Sequence, residues 1–363
     1  MTEHREPFTL FLAGLTVIMG IGAILSGFEL ALVTLGLVVA GLGASWASKR
    51  PVYWGAPLGV AGIILSLMRM IGYANPDGAG FWFAVVGVWV GAWLLVTLLA
   101  RFDAPAGALG LALKLAPPVI FGVTLLWLWQ TAVTALQVPS VILPVPTEIG
   151  ARLVSSTDVL LTDLVQTFVR GTLSGFAIGC GAAILFALVV DRYAFLRRGL
   201  LPVGNFLAAL PIIGTAPIFV MWFGFDWPSK AAVVVAMVFF PMLVNTVQGL
   251  TATSAMQRDL MHTYSAGWWQ TLVTLRLPAA MPFVFNGLKI CATLALIGAI
   301  VAEFFGSPTR GMGFRISTEV GRLQLDMVWA EIAVAALLGS AFYGFWALLE
   351  RRVTFWHPSQ RSS

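Results

Sequence analysis

Charge is the scarcest property of this sequence: Asp, Glu, Lys and Arg make up 10% of its 363 residues. So few ionised groups cannot clothe a soluble globule of that length, which excludes the water-soluble enzyme classes. Cysteine is nearly absent: Cys180 and Cys291 each fall inside an apolar run, and neither belongs to a CxxC or Cys/His grouping. No disulfide framework or zinc site is expected from them. The three histidines, His4, His262 and His357, are scattered, which argues against a metal centre or a catalytic constellation. A G-x-x-x-x-G-K-[ST] phosphate loop is also missing, and the glycine run GLVVAGLGAS (Gly36 to Ser45) has no Lys-Ser/Thr after it. No bound nucleotide or other cofactor is expected, and any ATP hydrolysis must lie on a separate chain.

What the sequence has in abundance is apolar side chain, 59% of all residues, with a mean hydropathy of +0.91. The hydrophobic runs approach the ~20 residues that cross a bilayer as helix, without the alternation of a barrel strand. They fall near residues 8–26, 30–46, 54–73, 81–100, 117–136, 163–190, 200–224, 229–251, 279–303 and 327–349. The fold class is an all-α polytopic membrane protein of about ten transmembrane helices. The opening MTEHREP carries acids beside Arg5, and no small-residue cleavage site follows the first run, so that run is expected to be a retained span. With the N-terminus cytoplasmic, Lys and Arg divide roughly thirteen inside to five outside, which favours both termini in the cytoplasm. The same bias accounts for the net charge of +5 without nucleic acid as a partner.

Character changes around residues 101–116, where charge, Pro and Gly mix. Residues 1–114 are expected to form a four-helix membrane extension, with GxxxG spacings at Gly55/Gly59 and Gly87/Gly91 that permit close helix approach. Residues 115–363, with longer polar loops and proline-interrupted spans, are expected to form the six-helix working core.

Within that core, SAMQRDLMHTY (Ser254 to Tyr264) predicts a short amphipathic cytoplasmic helix after a Thr/Ser-rich start suited to an N-cap, with Met256, Leu260 and Met261 on one side. Ser265-Ala266-Gly267 then turns the chain, Trp268 and Trp269 suit a membrane interface, and Leu277-Pro278 starts the next span. An ordinary interfacial loop helix fits these residues as well as a docking device does.

DLMHTYSAGWWQTLVTLRLPAAMP (Asp259 to Pro282) resembles the "EAA" loop of permease subunits of ATP-binding-cassette importers. Asp259 stands at the Glu position and Leu277-Pro278 at the Leu-Pro, but Ser265 occupies the usual Gly position. VILPVPTEIGARL (Val141 to Leu153), ALPIIGTAPIFVMWFGF (Ala209 to Phe225), FFPMLVNTVQGL (Phe239 to Leu250) and IVAEFFGSPTRGMGFRI (Ile300 to Ile316) resemble, in order and spacing, the nitrate/sulfonate/taurine-type permeases. The resemblance covers residues 115–363 and leaves the first four spans extra. It implies an importer permease in the cell inner membrane, paired with a second copy of itself, two cytoplasmic ATPase subunits and an extracytoplasmic solute-binding protein. The loop helix would enter a groove of the ATPase, which assigns ATPase coupling to Asp259, Leu260, Met261, His262, Tyr264, Ser265, Ala266 and Gly267. Serine at 265 is tolerable only if that residue avoids positive φ or if Gly267 takes over the turn.

Polar residues inside the spans are candidates for the solute path or its gate, because an ionisable group near the bilayer centre costs at least about 2.5–3.5 kcal/mol. Lys289 and Glu303 share the ninth span but lie about 21 Å apart along a helix, too far for one salt bridge. The resemblance places Glu303 at a recurring Ala-Glu, suited to holding the outer loop or gate. Asn245 and Gln248 share a helical face and either line the path or join spans by hydrogen bonds. Pro202, Pro211 and Pro217 interrupt the seventh span, so Leu210, Pro211, Gly214 and Thr215 either border the path or mark a simple kink. Arg170 follows Asp163 and Gln166 and suits a pathway or a subunit interface; Arg69 can snorkel. Residues 141–158 and 307–322 read as polar outer loops suited to docking a solute-binding protein. The alternative function is an ion-coupled secondary transporter or channel with Lys289 and Glu303 at the coupling ion; a membrane enzyme lacks any acid, base or metal cluster. For the solute, the resemblance allows nitrate, sulfonates, taurine or pyrimidine-type thiamine precursors, and the aromatic content tilts toward a small organic molecule.

Overall fold

The structure, a computed structural model, describes residues 6–25, 31–47, 78–100, 107–193, 212–306 and 309–356, together with 62, 65, 66, 195, 196, 198 and 199. Among the described residues the regular structure is entirely helical. Six helical runs are long and apolar enough to cross a membrane: Ala79–Leu99, Lys114–Ala135, Thr157–Arg192, Trp227–Thr251, Trp268–Gly306 and Leu325–Val353. Two apolar helices are shorter, Thr9–Leu25 and Gly214–Phe223. The chain is thus a polytopic helical membrane protein. Residues 54–61 and 67–73 of the third expected span and residues 200–211 of the seventh lie outside the described residues, as do His4, Gly55, Gly59, Arg69, Pro202, Leu210, Pro211 and His357.

The chain divides into two compact units, Met1–Ile149 and Gly150–Ser363. In the first, α1 (Glu6–Leu25) packs on α2 (Ala31–Ala47) and α3 (Ala79–Leu99), and α3 packs on α4 (Ala108–Ala135). Phe81, Val88 and Leu37 are fully buried where these helices meet. Gly87 lies at this junction: a β-carbon there would come within 3.0 Å of Leu37 and 3.2 Å of Met19, so the small residue sets the helix spacing. Pro117 and Pro118 were expected to open a span; they lie inside α4, which starts at Ala108. The residue 114/115 division of the sequence reading therefore falls within a helix.

The second unit begins within α5 (Pro146–Ser155) and continues as α6 (Thr157–Leu164), a π-helical segment π1 (Val165–Leu173) and α7 (Ser174–Arg192). After α8 (Ile212–Phe223) come α9 (Trp227–Thr251), α10 (Ala255–Thr263), α11 (Trp268–Thr271), a second π segment π2 (Leu272–Arg276) and α12 (Leu277–Gly306). The short α13 (Met312–Gly321) leads into α14 (Leu325–Val353). Its core is the α7–α9–α12 contact, filled by Val238, Met242, Leu243, Ala292 and Ala295 and closed by Phe342 of α14. Burial at one face per helix, with apolar surface on the other, is what a membrane bundle with lipid or a second subunit around it requires.

Three expectations are revised by this geometry. Leu277-Pro278 does not begin the span: α11, π2 and α12 run as one helix from Trp268, and the wider π turn lets Pro278 follow without breaking it. Pro217 lies within α8 rather than ending it, and its missing N–H leaves the Ile213 carbonyl without its usual helical donor. The outer segments 141–158 and 307–322 are not plain loops, since they carry α5 and α13.

Candidate functional site

At one end of the second unit, α10 stands away from the bundle with no buried residue. Its start is a reciprocal capping box: Ser254 Oγ accepts the Gln257 N–H at 3.2 Å, and Gln257 Oε1 accepts the Ser254 N–H at 3.0 Å. Arg258 adds a brace by donating to the Thr253 carbonyl at 2.6 Å. The C-terminus closes with the paired bonds Ser265 N–H to His262 O, 2.9 Å, and Ala266 N–H to Met261 O, 3.0 Å. That closure needs a left-handed residue at 265, and Ser265 has φ 52°. Neither condition set for serine holds, therefore: Ser265 itself takes the strained turn, while Gly267 is extended at φ −68°, ψ 168°.

Met256, Leu260 and Tyr264, spaced by four, form an exposed apolar stripe at 82%, 56% and 76% exposure. Asp259 and His262 are exposed beside it, whereas Met261 and Ala266 are half-buried. Asp259 makes no ion pair among the described residues. The base of this segment is tied down. Arg276 donates to Asp191 at 2.6 Å and to the Leu250 carbonyl at 3.0 Å, joining π2 to the ends of α7 and α9. Trp268 packs with Leu250, Leu272 and Ala280 and lies under the Arg192 guanidinium, 5.1 Å from the ring centre, so it anchors protein rather than a lipid interface. Trp269 remains 70% exposed.

Glu303 lies 26 residues along α12 from Leu277, roughly 39 Å of helix, at the opposite end of the unit. It is buried and accepts hydrogen bonds from the Thr167 hydroxyl and the Gly313 N–H, each at 2.9 Å. Thr167 Oγ1 accepts the Met312 N–H at 2.8 Å. Asp163 accepts from Gly311 N–H at 2.7 Å and from Arg315 Nε at 2.8 Å. Together these bonds clamp the Gly311-Met312-Gly313 turn onto α6, π1 and α12. Space forbids larger residues there: a β-carbon at Gly311, whose φ is +124°, would sit 2.5 Å from the Glu303 carboxylate, and one at Gly313 would sit 2.2 Å from the Ile300 carbonyl oxygen.

Lys230 is 1% exposed and donates to the carbonyls of Phe225 and Gly306, with Glu303 near enough to attract it. Glu331 of α14 is fully buried, receives no hydrogen-bond donor among the described residues, and has Asp163, Arg315 and Glu303 as its charged neighbours.

The other sequence candidates fall in three places. Lys289 pairs with Glu350 of α14 at 2.6 Å, which joins two spans and explains its position in the membrane. Asn245 is half-buried, donates to the Pro241 carbonyl at 2.9 Å and accepts from Asn286 at 3.2 Å, while Gln248 and Asn286 are exposed. Gly214 is exposed and Thr215 half-buried on α8. Cys180 and Cys291 are free and buried, Cys291 donating to the Val238 carbonyl at 3.4 Å. Sequence reading missed Thr167, Lys230, Glu331, Glu350 and the Asp191–Arg276 pair; their partners are distant in the chain, and only the apolar setting of each charge could have flagged them.

Residues 175–355 match the family described as "Binding-protein-dependent transport system inner membrane component". The chain is 30% identical over 247 residues to the formylaminopyrimidine transport permease protein ThiX of Halalkalibacterium halodurans, covering 67% of this chain and 96% of that one. It is 29% identical over 265 residues to the riboflavin transport system permease protein RibX of Chloroflexus aurantiacus, covering 73% and 95%. The putative aliphatic sulfonates transport permease protein SsuC of Bacillus subtilis is 29% identical over 242 residues, covering 62% and 87%. The matched segment contains α9, α10, α12, α13 and α14, and it begins after α6 and π1, which carry Asp163 and Thr167. This chain belongs to the binding-protein-dependent inner membrane component family and is a permease subunit of an ATP-binding-cassette transporter.

Proposed function

We propose that the protein is the membrane subunit of an ATP-driven importer, working as a symmetric pair by alternating access. Two cytoplasmic ATPase subunits seat on α10 of the two copies, and both termini of each copy face the cytoplasm. A solute-binding protein docks outside against α5 and α13. Residues 115–363 carry transport, residues 1–114 form an added membrane extension, and ten spans cross the bilayer in all.

The observation that carries this reading is α10 itself: capped at both ends, rooted through Arg276 and Trp268, and presenting Met256, Leu260 and Tyr264 exposed, with no buried residue on the helix. Such a surface fits a helix-in-groove contact. Asp259, beside the stripe, supplies the acidic group for a basic or backbone-donor partner. At the other end, the Glu303 clamp serves as an outer gate latch, and the Lys289–Glu350 pair as the corresponding inner tie. Asn245, Gln248 and Asn286 line the path: hydrocarbon cannot satisfy amides exposed on spans, so a second copy or an aqueous route must cover them. Gly214 and Thr215 border the same route.

The names of the relatives support a small organic solute, pyrimidine-like or sulfonate-like. An ion-coupled carrier would need Glu303 and Lys289 for its ion, but both are engaged by protein groups. The test is uptake into proteoliposomes holding the chain, its ATPase and its binding protein. Uptake is expected to require ATP inside the compartment that holds the ATPase and to survive collapse of ion gradients. Uptake that follows the gradient and ignores ATP would overturn the proposal.

A further inference from the structure

Glu331 is the buried acid that the Glu303 clamp does not use. It lies six residues past Leu325 in α14, roughly 9 Å along the span Leu325–Val353, on the buried face with Met327 and Val328. It is 0% exposed, and neither Oε1 nor Oε2 accepts a hydrogen bond among the described residues. A carboxylate held out of water without donors is unstable as an ion and is neutralised instead.

The elements packed against α14 are α6, α12 and α13, and none of them brings Glu331 a donor. From α6, Asp163 comes within hydrogen-bond reach, but an ionised carboxylate only accepts. From α12 comes Glu303, a further acid, bonded to Thr167 and Gly313 and attracted to Lys230. From α13, Arg315 gives its Nε to Asp163 at 2.8 Å and turns Nη1 toward Glu319 at 3.8 Å, while Arg322 reaches the same Glu319 oxygen at 3.1 Å. On α14 itself, Asp326 is paired with Arg152 at 2.7 Å. Arg315 is thus the one cation shared by Asp163, Glu319 and Glu331 among the charged groups named, and its bonds go to the first two.

Two carboxylates in hydrogen-bond contact cannot both stay ionised. One proton between them neutralises a buried charge and turns a repulsion into an O–H···O⁻ bond. The bonding pattern says which acid carries it. Asp163 accepts from Gly311 N–H at 2.7 Å and from Arg315 Nε at 2.8 Å, as an ionised acceptor does, whereas Glu331 accepts from neither backbone nor side chain among the described residues. No three carboxyl, thiol or imidazole groups among the described residues converge on a place for a metal ion, so the proton is the ligand that fits. We propose that Glu331 holds a proton and donates it to Asp163, and that this bond ties α14 to the Gly311–Gly313 turn as a pH-sensitive catch. With the proton in place, α14, α6 and the turn are joined through one carboxylate. Its loss to water leaves two like charges in contact, which pushes α14 off Asp163 and disturbs the acceptor that holds Gly311 and Arg315. The catch is closed while the proton is bound and weakens as pH rises through the titration of Glu331. The proton site rests on the folded chain alone; its bearing on transport rests on the importer reading.

The test uses the full chain in phosphatidylcholine nanodiscs, taken from about pH 6, where ordinary carboxylates are ionised, to about pH 10 and followed by infrared spectroscopy. A protonated carboxylic acid has a carbonyl stretch above the amide band that shifts in heavy water. The unaltered chain is expected to show this band at the low end and to lose it as pH rises, and Glu331→Gln to lack it throughout. Hydrogen exchange of residues 309–322 is the second readout. At the high end the unaltered chain should exchange there about tenfold faster than Glu331→Gln, whose amide keeps a donor for Asp163 at every pH, and at the low end the two should agree. If Glu331→Gln fails to fold, Glu331→Asp takes its place and should move the band rather than abolish it. A band unchanged by either variant, or none at any pH, overturns the bound proton. A band that fades while the two chains exchange equally overturns the catch. Both readouts as expected without ATP-driven uptake leave the catch standing and overturn the importer reading instead.

Discussion

Replacing Glu303 with alanine removes a group that joins π1, α12 and the Gly311–Gly313 turn. The structure sets the size of the effect. The Gly313 N–H loses its acceptor in a buried place, and so does the Thr167 hydroxyl, which still accepts from Met312. A buried donor without a partner costs about 1–3 kcal/mol, and Lys230 loses its nearby negative charge as well. The expected sum is about 3–5 kcal/mol, the range found when one member of a buried charged cluster is deleted. Glu303→Gln keeps an acceptor for Gly313 and loses the charge, so it should cost about 1–2 kcal/mol. Thermal unfolding of the purified chain in detergent gives the ranking. Hydrogen exchange of residues 309–322 gives the location, with protection expected to fall there and to persist in α7 and α9. Unchanged protection of 309–322 in Glu303→Ala would refute the clamp, because a residue that merely fills space would loosen its own helix and leave the turn closed.

Three further outcomes follow from named contacts. Ser265→Gly should stabilise the α10 segment by about 0.5–1 kcal/mol, read as slower exchange of residues 255–266, since glycine takes φ near +52° without the penalty serine bears. Arg276→Met strands the Asp191 carboxylate, 1% exposed, and should cost about 3–5 kcal/mol while lowering ATP-driven uptake more than ATPase binding; equal stability to the unaltered chain would remove the brace from the account. Glu331→Gln should be neutral or stabilising in thermal unfolding, because neither Glu331 oxygen receives a donor among the described residues and the amide offers one to Asp163; a loss above about 2 kcal/mol would refute that reading.

Much of this arrangement was legible in the sequence, because membrane helices must satisfy their own backbone and so announce themselves by apolar length. The spans at 227–251 and 325–353 lie within two to four residues of their expected bounds. The capped helix after Ser254 was readable for the same local reason, as capping depends on residues three apart. Long-range pairing was not readable. The burial of Lys230 follows from carbonyls at Phe225 and Gly306, the latter 76 residues away. Lys289 looked like a pathway charge until Glu350, 61 residues on, was brought against it by α14. The turn after α10 failed differently: the Gly at 267 invited the left-handed position, but helix length fixed the closing residue at 265. Pro278 misled because proline ordinarily marks a helix start, and the π segment before it removes that restriction.

The proposed importer stands or falls on α10 as the place where an ATPase takes hold of this membrane subunit. The direct measurement is co-purification of the ATPase with the full chain and with a chain in which residues 255–266 are replaced by a flexible Gly/Ser linker of equal length. Both chains should unfold with similar midpoints, as α10 buries no residue against the bundle. The unaltered chain is expected to retain the ATPase and the replaced chain to lose it. Full retention by the replaced chain would contradict it.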